Sequence, residues 1–340
     1  MNKSKKLFIK FFIGILSLFF VLLLGIIFGT EFFSIKEILQ SIFNLADKNS
    51  ILLVIIKQIR LPRVLLACCC GSLLAGSGAI FQGFFRNPLA DSGLMGISSG
   101  AALGAVVSAL IPCSVVASFS VHFASICAFA GAFGAAFIVY FASKIYGNYN
   151  NTTVILLTGT ASSTFFSALT SLIILLKNNE LQKMFVWTLG SFNGKTWDDL
   201  IFILPVAIFS MIIMLLCSKS LDLMSSGEKN AESLGLEINK AKFFIIFAGA
   251  ISASCAVCIG GTIGFVGLIV PHIVRRIYGA KHSILICASM LWGGIFLVLA
   301  DLIARTIAPP TEIPVGIITA LTGTPFFIWL LFSTRKISHD

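Results

Sequence analysis

The segment Gly190-Ser-Phe-Asn-Gly194-Lys195-Thr196 is the nearest approach in this chain to a phosphate-binding loop. Such a loop cradles nucleotide phosphates with backbone N–H groups and a lysine. Three residues separate the two glycines where that loop needs four, and no strand precedes them, so nucleotide binding is rejected here. No other segment offers such a loop, and the chain is expected to hydrolyse no ATP itself. Cys255-x-x-Cys258 has redox spacing, yet it lies in an apolar run where cysteine behaves as a small hydrophobe. Cys68, Cys69 and Cys70 are consecutive within another such run, so the nine cysteines predict neither disulfides nor a metal site. An intramembrane enzyme would need convergent nucleophile, base or metal ligands, and the sequence shows no such cluster.

Proton- or ion-driven transporters keep ionisable groups deep inside their helices. Here the middle apolar runs are almost free of them: His122 and Asp301 lie near run ends, and Asp301 can pair with Arg305 one turn later. That weighs against a self-contained secondary transporter, the alternative from another class. More informative are Thr160, Ser163, Thr164, Ser167, Thr170 and Ser171, which at 100° per residue fall within an arc of roughly 120°. Leu157, Phe165, Leu169 and Leu172 occupy other faces. An uncharged hydroxyl stripe suits the wall of a wide, weakly interacting pathway. It equally suits a packed interface in which each hydroxyl bonds back to its own helix. Both readings stand at this point.

The elements that would position these residues are membrane helices. Of 340 residues 57% are hydrophobic and 11% charged, with mean hydropathy +1.00, too little charge for a water-facing surface. A spanning helix needs about 20 apolar residues, and the runs here far exceed the roughly ten alternating residues of a barrel strand. The expected fold is an all-α polytopic bundle, residues 1–340 forming one transmembrane domain. Ten spans are expected, at roughly 7–29, 51–83, 94–112, 119–143, 153–176, 198–218, 242–262, a short 267–277, 283–308 and 314–333. The first follows Lys3, Lys5, Lys6 and Lys10 but is too long for a signal peptide and closes on no cleavage site.

With both termini placed in the cytoplasm of a bacterial inner membrane, fifteen of the 24 Lys and Arg fall inside. The net charge of +10 is read as this positive-inside bias, with lipid rather than nucleic acid as the partner. The outer set includes Arg60, Arg63 and Arg305. The long hydrophilic segment from Ser218 to Lys242 reads as short cytoplasmic helices. Small residues at four-residue spacing (Gly96, Gly100, Gly104, Ser108; Gly71, Ala75) suit close helix packing within one subunit.

Arg60-Leu-Pro-Arg63, Gly76-Ser-Gly78, Gln82, Arg86-Asn-Pro-Leu-Ala-Asp91 and Gly96-Ile-Ser-Ser-Gly100-Ala together resemble the FecCD family of ABC-transporter permeases. So do Glu232-Ser-Leu-Gly235, Gly264-Phe-Val-Gly267-Leu-Ile-Val-Pro271-His272-Ile-Val-Arg275, Asp301-Leu-Ile-Ala-Arg305, Glu312-Ile-Pro314-Val-Gly316 and Gly323-Thr-Pro325-Phe326-Phe327. The likeness runs from about residue 50 to 333; Ser92 stands where the family commonly has proline.

The resemblance implies the fold of the cobalamin-importer permease, a type II importer. It implies a second permease copy, with a homodimer expected, two cytoplasmic ATPase subunits that bind ATP and Mg, and a periplasmic substrate-binding protein. This chain would bind no cofactor. An iron chelate (ferric siderophore or haem) is the expected cargo, with cobalamin the alternative. Arg60, Arg63 and Arg305 would dock glutamates of the binding protein, the competing reading being that Arg60 and Arg63 anchor a helix end at lipid headgroups. Mutation of Arg63 or Arg305 to Glu is then expected to weaken docking and spare the fold. Residues 222–237, with Ala231, Glu232, Leu234, Gly235 and Leu236, would be coupling helices seated on the ATPase rather than a plain loop. Thr160, Ser163, Thr164 and Ser167 would line the pathway, and Asn151, Thr152 and Thr153 are placed at an inner gate by position alone. Pro88 is expected to stop the second span, Asp91 to cap the next helix, and Pro271 to open one.

Overall fold

The computed structural model describes residues 3–29, 51–111, 122–146, 152–176 and 181–337, and the described residues form helices and turns without strand. Helix α1 is Lys3–Ile27. A turn at Ile51–Val54 and a π-helical turn at Ile55–Arg60 run straight into α2, Leu61–Phe84. A 3-10 turn, Ser92–Met95, precedes α3, Ile97–Ser108. Then come α4, Phe123–Tyr146, α5, Thr152–Leu176, and the short α6, Leu181–Thr188. Helix α7 is Trp197–Ser225, the short α8 Glu228–Ser233 and α9 Ile238–Gly260. The chain continues through α10, Val266–Tyr278, α11, His282–Thr306, and α12, Val315–Ile337.

Seven of these are long and apolar enough to cross a membrane, and α3 and α12 are shorter apolar helices. Helix α10, of 13 residues, stands where the short eighth span was expected, so each of the ten expected segments holds a helix. Helices α2 and α9 form the centre, with 78% and 83% of their spans buried, against 11% for α1 and 17% for α5. Composition explains the difference. Lipid tails are as apolar as leucine, so helices associate through close packing, which small residues permit. Helix α2 presents Ala67, Cys70, Gly71, Ala75 and Gly78 to its neighbours, all buried, whereas α5 turns Leu157, Phe165 and Leu172 outward. A Cβ on Gly71 would strike the carbonyl of Gly293, so α2 and α11 cross backbone to backbone. The ridge on α3 does the same within the chain, Gly100 lying against Gly131 of α4. Cys70, Cys255 and Cys258 are buried free thiols.

Four expected boundaries move. The 94–112 span contracts to Ile97–Ser108, because the Asp91 carboxylate accepts from the Gly93 N–H, capping the 3-10 turn, and Gly96 (φ 71°) then redirects the chain. Helix α2 ends at Phe84, with Arg86 in the left-handed region (φ 49°), so Pro88 follows the stop rather than making it. Pro271 lies inside α10, which begins at Val266 after Phe265 (φ 69°). The carbonyl that loses its helical donor there is that of Gly267, and the Gln82 side-chain amide donates to it at 3.2 Å instead. Finally, the first expected short helix of 222–237 is the end of α7, which runs unbroken to Ser225. The segment resembling a phosphate loop is the entry to α7, where Thr196 and Asp199 form a capping box.

Candidate functional site

The three singled-out arginines converge at one end of the bundle. Arg60, Arg63 and Arg305 are 5%, 6% and 3% exposed in the isolated chain, so none is splayed into a headgroup layer. Arg60 closes the π-helical turn and its Nη1 donates to the carbonyls of Ile26 (3.0 Å) and Ile27 (2.8 Å), at the end of α1. Arg63 donates from Nε to both Asp301 oxygens at 3.2 Å and from Nη2 to Oδ1 at 2.9 Å. Its Nη1 donates to Glu312 Oε2 at 2.8 Å. Arg305 pairs with Asp301 Oδ2 at 3.1 Å and donates to the Gly25 carbonyl at 3.1 Å. The expected Asp301–Arg305 pair is therefore present but shared, since Asp301 bridges two arginines. A cavity of about 220 Å³ opens between Gly29, Ile55, Ile59, Arg60, Arg63, Arg305 and Glu312.

This geometry corrects one expectation. Glutamate at position 63 or 305 would face the buried Asp301 carboxylate, and like charges out of water are costly. The fold would not be spared. Glu312 and the Arg63–Asp301 pair were missed because their partners lie 249 and 238 residues apart in the chain. The available signal was a carboxylate between Pro310 and Pro314, in a connection at the same end as three arginines.

At the opposite end, α8 and its flanks are tied to the body. The Arg86 guanidinium donates to the Met224 carbonyl at 2.6 Å, capping the last turn of α7. Asp222 Oδ1 accepts from the His282 backbone N–H at 2.8 Å and lies 2.8 Å from its Nδ1. Glu228 pairs with Lys242 at 2.9 Å, the lysine 4% exposed. Sequence reading passed over these pairs too, since only the fold brings α9 and α11 to this segment. Of the expected coupling residues, Ala231 is fully buried, Leu236 half-buried, and Glu232, Leu234 and Gly235 exposed. Leu234, an apolar side chain, is 66% exposed. The Leu236 N–H donates to Ala231 and the Gly235 N–H to Glu232, with Gly235 at φ 86°, the Schellman end of a helix.

Between the ends, the hydroxyl stripe of α5 shows both of its readings in part. Thr160, Thr164 and Ser171 donate to the carbonyls of Leu157, Thr160 and Ser167 at 2.9–3.0 Å. Yet Thr160, Thr164 and Ser167 are exposed, Ser163 is half-buried near Gly96, and Thr170 is buried. Donors engaged internally leave a surface of lone pairs and methyls. Thr152 and Thr153 begin α5, and Asn151 lies outside the described residues. Among the described residues the buried Lys, Arg and Asp side chains are Arg60, Arg63, Lys242, Asp301 and Arg305, all at the two ends. His272 is buried in α10 against Phe326, and neither ring nitrogen has a hydrogen-bond partner among the described residues.

A profile described as the FecCD transport family matches residues 16–333. A cobalamin import system permease of Halobacterium salinarum is 42% identical over 82% of this chain and 73% of its own length. An Fe(3+)-citrate import system permease of Bacillus subtilis is 36% identical over 99% of this chain and 98% of its own. A hemin transport system permease of Yersinia pestis is 37% identical over 82% and 83%. Among solved structures, an ABC transporter classed as metal-chelate type, in an inward-facing conformation, superposes with TM-score 0.81 at 31% identity. It covers 95% of this chain and 98% of its own.

Proposed function

The chain belongs to the FecCD transport family and is a multi-pass permease subunit of an ABC transporter, and from that premise we propose that it passes an iron chelate, ferric siderophore or haem, into the cytoplasm. The observation that carries an externally powered importer is the placement of charge. Buried Lys, Arg and Asp side chains of the described residues cluster at the two ends; the buried His272 of α10 has no hydrogen-bond partner among the described residues, and the exposed face of α5 offers hydroxyls and apolar surface. An ion-driven carrier needs an ionisable relay at mid-depth; a permease driven from outside needs docking and coupling surfaces at its ends.

In this reading both termini lie in the cytoplasm of a bacterial inner membrane, and the chain pairs with a second copy of itself. Arg60, Arg63 and Arg305 face the periplasm and receive the binding protein. Leu234 and the exposed edge of α8 seat on a separate ATPase, which supplies the ATP and Mg chemistry. The exposed hydroxyls of Thr160, Thr164 and Ser167, with Ser163 beside them, line the passage between the two copies, gated at its inner end near Asn151–Thr153. The iron-citrate relative favours an iron chelate, because it matches along 99% of this chain. Cobalamin is the second reading, favoured by the 42% identity of the cobalamin relative.

Uptake of labelled ferric siderophores, haem and cobalamin in a strain lacking this gene tests the proposal. Loss of one iron-chelate uptake, restored by the gene only when its ATPase partner is active, is the expected result. Loss of cobalamin uptake alone would replace the cargo, and uptake independent of the ATPase would remove the mechanism.

A further inference from the structure

The two carboxylates at the arginine end are held differently. Asp301 is 1% exposed, sits on α11, and meets Arg63 through Nε and Nη2 and Arg305 through Nε. Glu312 has a 23% exposed side chain and, among the described residues, pairs with Arg63 Nη1 at 2.8 Å. It also stands in the non-helical connection between α11 and α12, where the next residue, Ile313, is anchored by its N–H to the Ala304 carbonyl at 3.1 Å. Glu312 can therefore leave Arg63 by rotating its side chain toward the cavity, whereas Asp301 is enclosed between two arginines. Both Arg63 and Glu312 line the 220 Å³ cavity, together with Arg60 and Arg305.

Charge explains why something must occupy the Glu312 position. Arg63 and Arg305 are matched by Asp301 and Glu312, two cations against two carboxylates, while Arg60 is a third cation beside them that donates to carbonyls of α1. Withdrawing Glu312 takes one countercharge from Arg63, an unfavourable state unless another carboxylate replaces it. A one-for-one exchange avoids that cost, and the cavity admits a side chain from outside.

We propose that Glu312 is an exchangeable stand-in: it holds Arg63 Nη1 in the undocked permease and yields it to one carboxylate side chain of the soluble binding protein. The inference rests on the docking reading of the arginine cavity and adds to it a competitor within the chain. Docking is then a salt-bridge exchange in which the net charge at the cavity returns to its starting value. Affinity is held down by an internal rival, which favours release once cargo has been delivered.

The test uses the complete importer in lipid nanodiscs and its binding protein, with dissociation constants for the parent, Glu312→Gln, Glu312→Asp and Arg305→Gln. Removing the rival is expected to tighten docking about three- to fivefold in Glu312→Gln, the scale of one partly exposed ion pair. Glu312→Asp, with a shorter reach, should fall between parent and Glu312→Gln, and it carries the test if the amide variant does not fold. Arg305→Gln should weaken docking. If Arg305→Gln weakens docking while both Glu312 variants leave it equal or weaker, the exchange is overturned and the docking reading stands. If Arg305→Gln docks as the parent does, the docking reading falls and the exchange with it.

Discussion

Asp301 and Arg63, separated by 238 positions in the chain, meet at 2.9 Å and lock the end of α11 onto the start of α2. Breaking a buried pair by removing one partner typically costs about 3–5 kcal/mol, because the other charge is left without compensation. Asp301→Asn strips the countercharge from Arg305 and leaves Arg63 with Glu312 alone. It is expected to destabilise the purified protein by about that amount, read as a fall in its thermal midpoint in detergent. An unchanged midpoint would show that the pair contributes nothing to the fold.

The Schellman end of α8 makes a second prediction. Gly235 at φ 86° has open space around its missing Cβ, so a side chain there meets strain but no collision. Gly235→Ala should cost about 1 kcal/mol, the usual penalty of a left-handed Cβ. Gly235→Arg adds bulk to the exposed edge beside Leu234. Substrate-protein docking should survive in Gly235→Arg while transport per ATP hydrolysed collapses. Normal transport in that variant would count against α8 as the coupling element.

Glu228 and Lys242 supply a third. Lys242 is 4% exposed and Glu228 is the first residue of α8, so their 2.9 Å pair fixes the angle at which α8 leaves the body. Glu228→Gln should loosen α8 and lower the ratio of uptake to ATP turnover. The exchanged pair Glu228→Lys with Lys242→Glu should recover part of it, which loss of a merely local charge would not.

For the hydroxyl stripe, Thr164→Val is the informative change. Its hydroxyl donates to the Thr160 carbonyl, so valine removes one helix-internal bond and leaves the outline intact. The fold should hold within about 1 kcal/mol, and the rate of uptake should change if the exposed face is the passage. A parent-like rate for Thr164→Val together with Ser167→Ala would move the passage elsewhere.

The ten apolar segments and their order were legible because length and hydropathy are local properties of the chain, whereas the short α6, Leu181–Thr188, was not expected. Even the short α10 announced itself through the glycine-rich break before it. The side-chain constellations were legible only by half. Arg60, Arg63 and Arg305 stood out as charge in an apolar chain, but their partners did not, since Glu312, Asp301 and the carbonyls of α1 come from segments that only tertiary packing brings together. The same holds for Asp222 and His282, 60 positions apart, which nothing in either segment marks as partners. Pro271 misled for a related reason. A proline reads as a boundary when its neighbours are unknown, and here Gln82, 185 positions away from the acceptor it serves, repairs the helix.

Helix α11 starts at His282, which is bonded to Asp222, and carries Asp301 and Arg305 in its final turns. Its 25 residues make a rod about 37 Å long at 1.5 Å per residue. One helix thus runs from the Asp222 contact to the arginine cavity. Were α11 to move as a rigid body, a tilt at the Asp222 end would reach the arginine cavity directly, and a load at the cavity would return along the same axis. Linkage demands that such traffic be symmetric in free energy: whatever occupies the cavity must favour one posture of the far end by as much as that posture favours the occupant.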